Sequence, residues 1–592
     1  MAKSNAVLNP NLGLFLGRAK LGVPLRGLQD GLNFRVLQGK LSNLTLGWTR
    51  FGAWTLNGPL MLIEDFFLRD GTEKLVFATT LDIYEYDSGS EEVAFLSPRY
   101  ATGTAAASGT AVTGIGTTWS TNAKAGDEIH FGNAAQRDPD AVWYEIDEVV
   151  NNTSITLTAS AGTIADGVYT IRKKFTGEID NHWISDVFYN ASPSNADELW
   201  MTNGTDDIVR WDGTATQVEV MSALNFKAKV IAVYANMMIF ANLTQAGTEK
   251  PADIINSNIG EPQNVTSGIS EQFKIHGEFG GIFSMKPLGD ALALYSEYTG
   301  TLAQFVGGDL VFAFRQAISG QGPIGYRAVA DFGDYHQFIG HDGLYMFDGA
   351  ALREIGNYVW REVLRIQNPA SRRTAFHVFN DVFAELIWVL PLTSDAGDSP
   401  ETAFAEHYLE DVGESGHIPF SKRDFPFTAA GSFTRQNTLT WDELTGQWAD
   451  MNFRWNDQFF SVAFPLTLVG DIDGKVYSLN SAQSKDGAAM TSFVKFGRRP
   501  MFDGRIRGLL TRVYPLALPG TTALTVTAHM ADNGEAQATT SDEQSVNFTT
   551  TSDYFTIHYR RGRYTEIEFG SDASEPWELS GYDLDIRPGG RR

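Results

Sequence analysis

The sequence predicts an all-β protein: an interrupted β-propeller with a small inserted β-domain and a C-terminal β-sandwich. Three observations predict it. Apolar runs of four to eight residues recur along the chain, each cut off by Gly, Asp or Pro, and no window holds a helical stripe long enough to compete. Aromatics reach 12% and glycines number 58, a composition suited to short strands and tight turns. One hairpin phrase also recurs: an apolar strand, a turn, and an alternating strand ending in Asp or Asn.

The phrase is clearest at Phe338–Gly349 (FIGHDGLYMFDG), the end of a strand-rich stretch, Gly280–Gly349, around which the chain is organised. It occurs earlier as Lys74–Gly89 (KLVFATTLDIYEYDSG) and Glu198–Gly213 (ELWMTNGTDDIVRWDG), and more weakly as Leu468–Asn480 (LVGDIDGKVYSLN). Further strand pairs are expected between the copies, at Ala228–Asn242 and Ala384–Pro391. A recurring four-strand unit with this hairpin as its inner or middle pair is the sequence signature of propeller blades, because each blade needs neighbours to cover both faces. At roughly forty to fifty residues per blade, six or seven blades are expected. The competing architecture is a pair of β-sandwiches with similar hairpins.

The copies are unevenly spaced because a Thr, Ala and Gly-rich stretch, Ala101–Ile171, separates the first two. Its short strands (TAVTG, DEIHF, WYEIDEV, SITLTA, VYTI) predict a small β-domain that leaves and rejoins a blade near Pro98 and Lys173. After about Met490 the chain turns to long alternating strands, as in a sandwich. The expected units are an N-terminal segment 1–50, a discontinuous propeller 51–98 and 173–489, the insert 99–172, and the sandwich 490–592.

Composition narrows function. At 592 residues the chain exceeds one core, and with no cysteine neither disulfides nor thiolate metal sites hold it together. The net charge of −25 argues against a surface that grips nucleic-acid phosphates, which rests on Lys and Arg displacing counterions. Thr491–Arg592 holds 12 basic and 13 acidic residues, so nearly all the surplus acid precedes it. The first residues lack the apolar core of a signal peptide, and no run of about 18 apolar residues occurs.

No catalytic, cofactor-binding or metal-ligating residue is assigned. His336 and His341 are five apart, which is neither a same-face strand pair nor the i, i+4 helical pair of a zinc site. The glycine-rich stretches 277–281 (GEFGG) and 320–325 (GQGPIG) open no helix with Lys-Ser/Thr, so they are expected as loops. Thr440–Trp448 (TWDELTGQW) faintly resembles the Asp-rich turns of sialidase-like blades, but glycoside hydrolysis needs a convergent nucleophile or paired carboxylates. The arginines Arg498, Arg499, Arg505, Arg507, Arg560, Arg561 and Arg563 lie among acidic residues and are expected to pair across a subunit interface.

Five segments in order carry a resemblance: LQDGLNFRVLQGKL; the insert TAVTGIGTTWSTNAKAGDEI…TSITLTA…YTI; PADIINSNIGEPQNV; IGHDGLYMFDGA; and YRRGRYTEIEF…WELSGYDLDIRPGGRR. Together they resemble virion proteins of tailed bacteriophages, most of all the tail nozzle, or tail tubular protein B, of short-tailed phages. That resemblance implies a non-enzymatic structural protein of the virion tail. In this family a propeller-bearing subunit forms a hexameric ring under a tail adaptor ring, and double-stranded DNA passes through it during genome ejection; contact with tail fibres is a further expectation. The alternatives are a head-completion or hub protein of the virion, and a propeller-type glycan-binding or hydrolysing tail protein. A conduit for DNA is expected to be acidic, with carboxylates drawn from loops such as Asp70–Glu73, Asp82–Glu92 and Asp206–Asp212.

Overall fold

The computed structural model describes residues 3–4, 6–132, 142–190, 196–275, 280–308, 310–395, 399–410, 418–434, 465–502, 504–517, 521, 523–534, 540–547, 555–572 and 574–588. Among these, seven four-stranded antiparallel sheets form the blades of a β-propeller. Their first strands are Leu60–Phe67, Ile184–Phe188, Phe226–Tyr234, Ile282–Leu288, Val329–Asp331, Phe376–Asn380 and Ala429–Phe433, taken here as blades one to seven. These strands adjoin one another around the axis, and an isolated parallel bridge between Arg327 and Phe376 shows that the inner strands of blades five and six run the same way. Within each blade the strands follow in chain order, as a meander, except in the last.

All four copies of the hairpin phrase are the second and third strands of blades: one, two, five and seven. The structure explains why the phrase repeats. The Asp that ends three of the copies closes the next turn with its own carboxylate. Asp87 accepts from the Gly89 amide at 3.0 Å, Asp212 from Thr214 and Ala215 at 2.8 and 2.7 Å, and Asp348 from Ala350 and Ala351 at 3.0 and 2.7 Å. In the other turn of the last two copies an Asp takes the hydroxyl of a following Tyr: Tyr345 donates to Asp342 at 2.6 Å and Tyr477 to Asp471 at 3.1 Å.

Apolar clusters sit between neighbouring blades, so no blade buries its faces alone. Phe66, Trp183 and Trp211 fill the gap between blades one and two, Trp200 and Phe240 that between two and three, and Phe338 and Tyr295 that between four and five. The gap between blades seven and one holds Phe77, Tyr84 and Phe433. The fourth strand of blade seven is Gly47–Arg50, which pairs with Val476–Ala482 and so closes the ring with the beginning of the chain.

Residues 1–50, set apart by sequence as a segment of their own, are thus divided between two bodies. Leu28–Leu32 pairs with Ser492–Phe496, and Lys40–Ser42 pairs with Glu578–Pro588, so the N-terminal strands complete both sheets of the C-terminal sandwich. Phe496, Phe569 and Tyr582 meet between those sheets, with Phe496 and Tyr582 ring centroids 4.8 Å apart. The same core continues into blades five and six through Trp360 and Val363 of a helix, Asn357–Arg365. That helix was not anticipated. Val359, Trp360 and Val363 at i, i+1 and i+4 supply its buried stripe, but nine residues are too few to register as a helical period beside so many strands.

The insert forms its own eight-stranded sheet around Val112, Trp119, Ile146, Ile155 and Tyr169. It leaves after the outer strand of blade one and returns before the inner strand of blade two, so it interrupts the junction between blades rather than the interior of one. Exit and return are adjacent: the Lys173 amide donates to the Pro98 carbonyl at 2.8 Å. Replacing Ala101–Ile171 with a short Gly-Ser linker should leave the propeller folded, with loop-closure entropy changing by only about 1 kcal/mol. Circular dichroism and gel filtration of that deletion check this; cooperative loss of the whole fold would show that the insert is integral.

Candidate functional site in the axial channel

The inner strands of all seven blades line a cavity of about 890 Å³ on the propeller axis. Several lining stretches run from apolar to charged in chain direction: Leu62 to Asp65, Trp183 to Asp186, Val329 to Asp331, and Val378 to Asp381, the last just past its strand. One end of the cavity is therefore acidic. Lys286 of blade four lies close enough to Glu64, Asp186 and Asp331 for its charge to favour their ionised forms, but burial outweighs it at Glu64 and Asp186, whose carboxyls are raised.

The polar groups join blade to blade. Ser185 donates to Glu64 at 2.9 Å, tying blade two to blade one. Asp186 accepts from the amides of Val187 and Val233 at 2.8 and 2.7 Å, tying blade two to blade three. Arg327, just before the inner strand of blade five, donates through Nη1 to the Met61 carbonyl of blade one at 3.0 Å and contacts Nδ1 of His182, ahead of blade two, at 3.2 Å. Blades one and two lie opposite blade five in a ring of seven, so this guanidinium crosses the axis at that end.

Burial pushes the Glu64 carboxyl up to about 7, with Asp65 and Asp186 adding to the effect, so this side chain exchanges a proton near neutrality. Burial, reinforced by the Arg327 charge, drops His182 to about 3; its imidazole is neutral and Nδ1 is free to accept from Arg327. His377 is likewise lowered to about 3 by burial, and its Nδ1 lies 2.9 Å from the Arg327 carbonyl. Among the described residues no group of three or more His, Cys, Asp or Glu side chains is placed to hold a metal. The arrangement ties blades together around a pocket that is acidic at one end.

The residues singled out by sequence lie elsewhere. His336 is buried between blades four and five, with Nδ1 2.8 Å from the Tyr295 hydroxyl and Nε2 2.9 Å from the Pro287 carbonyl. His341 stacks on Tyr298, with centroids 4.8 Å apart, and bonds the Glu297 carbonyl at 3.1 Å. Of GEFGG, residues 277–279 are outside the described residues, as is all of Thr440–Trp448. In GQGPIG, Gly322 passes so near blade four that a Cβ there would meet the Ser296 carbonyl oxygen at 1.9 Å, a packing reason for glycine.

Three of the seven arginines have partners within the chain rather than across an interface. Arg498 is buried against Glu566, with Nε donating at 2.6 Å, and also binds the carbonyls of Asn533 and Gly534. Arg499 holds the Val23 carbonyl at 3.0 Å and that of Pro24, pinning the N-terminal segment, and Arg507 pairs with Asp532. Arg505, Arg561 and Arg563 are exposed; the side chain of Arg560 is outside the described residues. The acidic loops divide similarly. Asp70 and Glu92 are exposed, but Asp82 is buried and accepts from Ser97 at 3.0 Å, and Asp206 closes a turn by accepting from Thr176 and Asn203.

Sequence reasoning passed over Glu64, Asp186 and Arg327. The available signal was a charge set inside an apolar run, as in Leu60-Met-Leu-Ile-Glu-Asp-Phe-Phe67, and in a chain with 71 acidic residues that signal is diluted.

No protein-family model matches the chain, and no curated protein matches it. Among solved structures it is similar to two of Hsv2 from Kluyveromyces lactis. One, with its loop 6CD complete, is 10% identical over 62% of this chain and all of that one, at a TM-score of 0.25. The other is 11% identical over 62% of this chain and 99% of that one, at a TM-score of 0.24. Overlap that loose has no bearing on fold or function; the propeller rests on the strand pairing itself.

Proposed function

We propose that this chain is a non-enzymatic structural subunit of the tail of a short-tailed phage, forming a nozzle ring through which the genome leaves the virion. The observation that carries this reading is one chain joining a propeller, an insert at a blade junction and a sandwich completed by the N-terminal strands, with the five resembling segments spread along that order. The conduit is the lumen between subunits. The propeller's own bore, at about 890 Å³ and crossed by Arg327, has the size of a small-ligand pocket, about 300–1,000 Å³, whereas the major groove of duplex DNA alone is about 12 Å wide.

On this reading the working form is a closed cyclic ring, probed by negative-stain electron microscopy of the full chain alone and with its adaptor partner. Rings are expected in at least the second setting. A chain that stays monomeric at high concentration in both settings refutes the reading. The lumen should be net acidic, because a basic wall traps DNA through counterion release. Tight, salt-sensitive binding of double-stranded DNA by the isolated protein would instead indicate a gripping role. The chain's setting is then the virion tail, with adaptor and fibre proteins as partners.

A further inference from the structure

The far edge of a blade's outer strand, unless covered, presents unpaired amides and carbonyls, a liability usually limited by keeping such strands short or covered. Most of these blades follow that rule. The outer strands of blades one, two, three, five and seven have four, two, three, four and four residues. Blade six has five, Phe420–Asp424, and its edge is covered: the Leu14 amide donates to Phe420 at 3.0 Å and the Asn33 amide to Lys422 at 2.9 Å. Blade four departs from it. Its outer strand, Phe312–Ser319, is eight residues long and pairs along its inner side with Thr299–Phe305, and among the described residues no strand meets its outer edge.

Two independent features surround that edge. Apolar side chains are exposed beside it: Val306 at 53%, Leu310 at 70% and Phe314 at 37%. A groove of about 460 Å³ also opens between blades four and five, reaching from Ala313, Phe314 and Arg315 of the outer strand across the blade to Asp290, in the turn between its first two strands, and to Asp334 and Asp348 in turns of blade five. Side chains alternate between the faces of a strand. Phe314 lies on the face toward blade three, 5.5 Å from the Phe273 ring, and Ala313 and Arg315 lie on the groove face. Arg315 is the groove's one basic side chain against three carboxylates, and its Nη2 donates to the Gly349 carbonyl at 3.2 Å.

We propose that the outer edge of blade four docks an extended segment of a partner protein by strand addition, and that this segment alternates apolar and basic residues. Main-chain bonds to Ala313–Gln316 would provide the pairing, apolar side chains would lie beside Phe314, and Lys or Arg would lie over Asp290 and Asp334. The inference rests on this edge and holds whether or not the chain forms a ring.

The test uses the full chain and a fluorescent nine-residue peptide alternating lysine and valine, followed by anisotropy at physiological salt. Saturable binding is expected. Methylating the central backbone nitrogens of the peptide, which keeps every charge and side chain, should weaken it at least about tenfold, as should Phe314→Lys or the pair Asp290→Lys and Asp334→Lys. Both sites are exposed, and circular dichroism confirms that each variant is folded. Absence of saturable binding, equal binding of the methylated peptide, or equal binding by the folded variants would each overturn the proposal, the second because it signifies only general attraction to a chain of net charge −25.

Discussion

A chain that begins at residue 51 should fail to yield a soluble, cooperatively folded protein. Leu14, Leu28, Phe34, Val36, Leu41 and Trp48 are all buried, spread across the sandwich core, the contact with blades five and six, and the last blade. At about 1.5–3 kcal/mol for each fully buried apolar side chain, their loss amounts to about 9–18 kcal/mol, against a typical total stability of about 5–15 kcal/mol. The truncation also exposes the edge of Val476–Ala482, where Gly47–Arg50 closed the propeller, and the edge of Ser492–Phe496 in the sandwich. Yield of soluble protein and a thermal melt read the outcome. A truncated chain that melts cooperatively within a few degrees of the full one would show that ring closure does not depend on this segment.

That dependence marks where the sequence stops being readable. Blades one, two and five could be found because the Asp that ends each middle hairpin caps the following turn, and blade seven because Asp471 caps the hairpin turn itself, accepting from the Asp473 and Lys475 amides; turn chemistry is local. Blade three showed only as an apolar run, and blade six as Ala384–Pro391, since their hairpins carry no such Asp. The N-terminal strands could be read as strands, but their partners lie more than four hundred residues away, as in Leu28 with Phe496; pairing over that distance leaves no periodic trace. The channel was harder still. Arg327 acts by reaching across the axis to Met61, and outside the channel Glu385 receives Arg35 from 350 residues upstream, so each is defined by a contact between distant parts of the chain and not by its neighbours in sequence.

Glu385 carries the second large expected effect. Its carboxylate is fully buried in blade six, where Arg35 of the N-terminal segment donates through Nε at 2.6 Å, Arg423 donates through Nη1 at 2.9 Å, and Asn380 donates at 2.7 Å. Arg35 also lies over the Phe383 ring, 3.4 Å from its centroid. Burial alone would raise this carboxyl, but the two guanidinium groups outweigh it and hold the pKa well below the usual range. Glu385→Ala leaves both arginines buried without their counter-charge, so a loss of about 3–5 kcal/mol is expected, read from urea unfolding followed by tryptophan fluorescence. Glu385→Gln, which keeps the shape and some hydrogen bonds, should lose less. The sign of the acid response follows from the two neighbours. A depressed carboxyl stabilises above its unfolded value of about 4.5, and that contribution fades only as pH falls toward the low folded value. His407, whose Nδ1 lies 3.4 Å from Glu385, is lowered by burial to about 3, so its share is complete above about 6.5 and declines as pH falls toward 3. The His407 share of acid weakening should therefore begin near pH 6.5, opposed in the same range by Glu64, whose raised carboxyl takes up its proton first in the folded state, and His407→Gln should lower the loss on acidification by up to about 1.4 kcal/mol per pH unit between pH 6 and 4. An unchanged slope in that variant would mean that His407 is charged in the folded protein, and Glu385→Ala within about 1 kcal/mol of the parent would mean that the cluster does not hold the N-terminal segment to blade six.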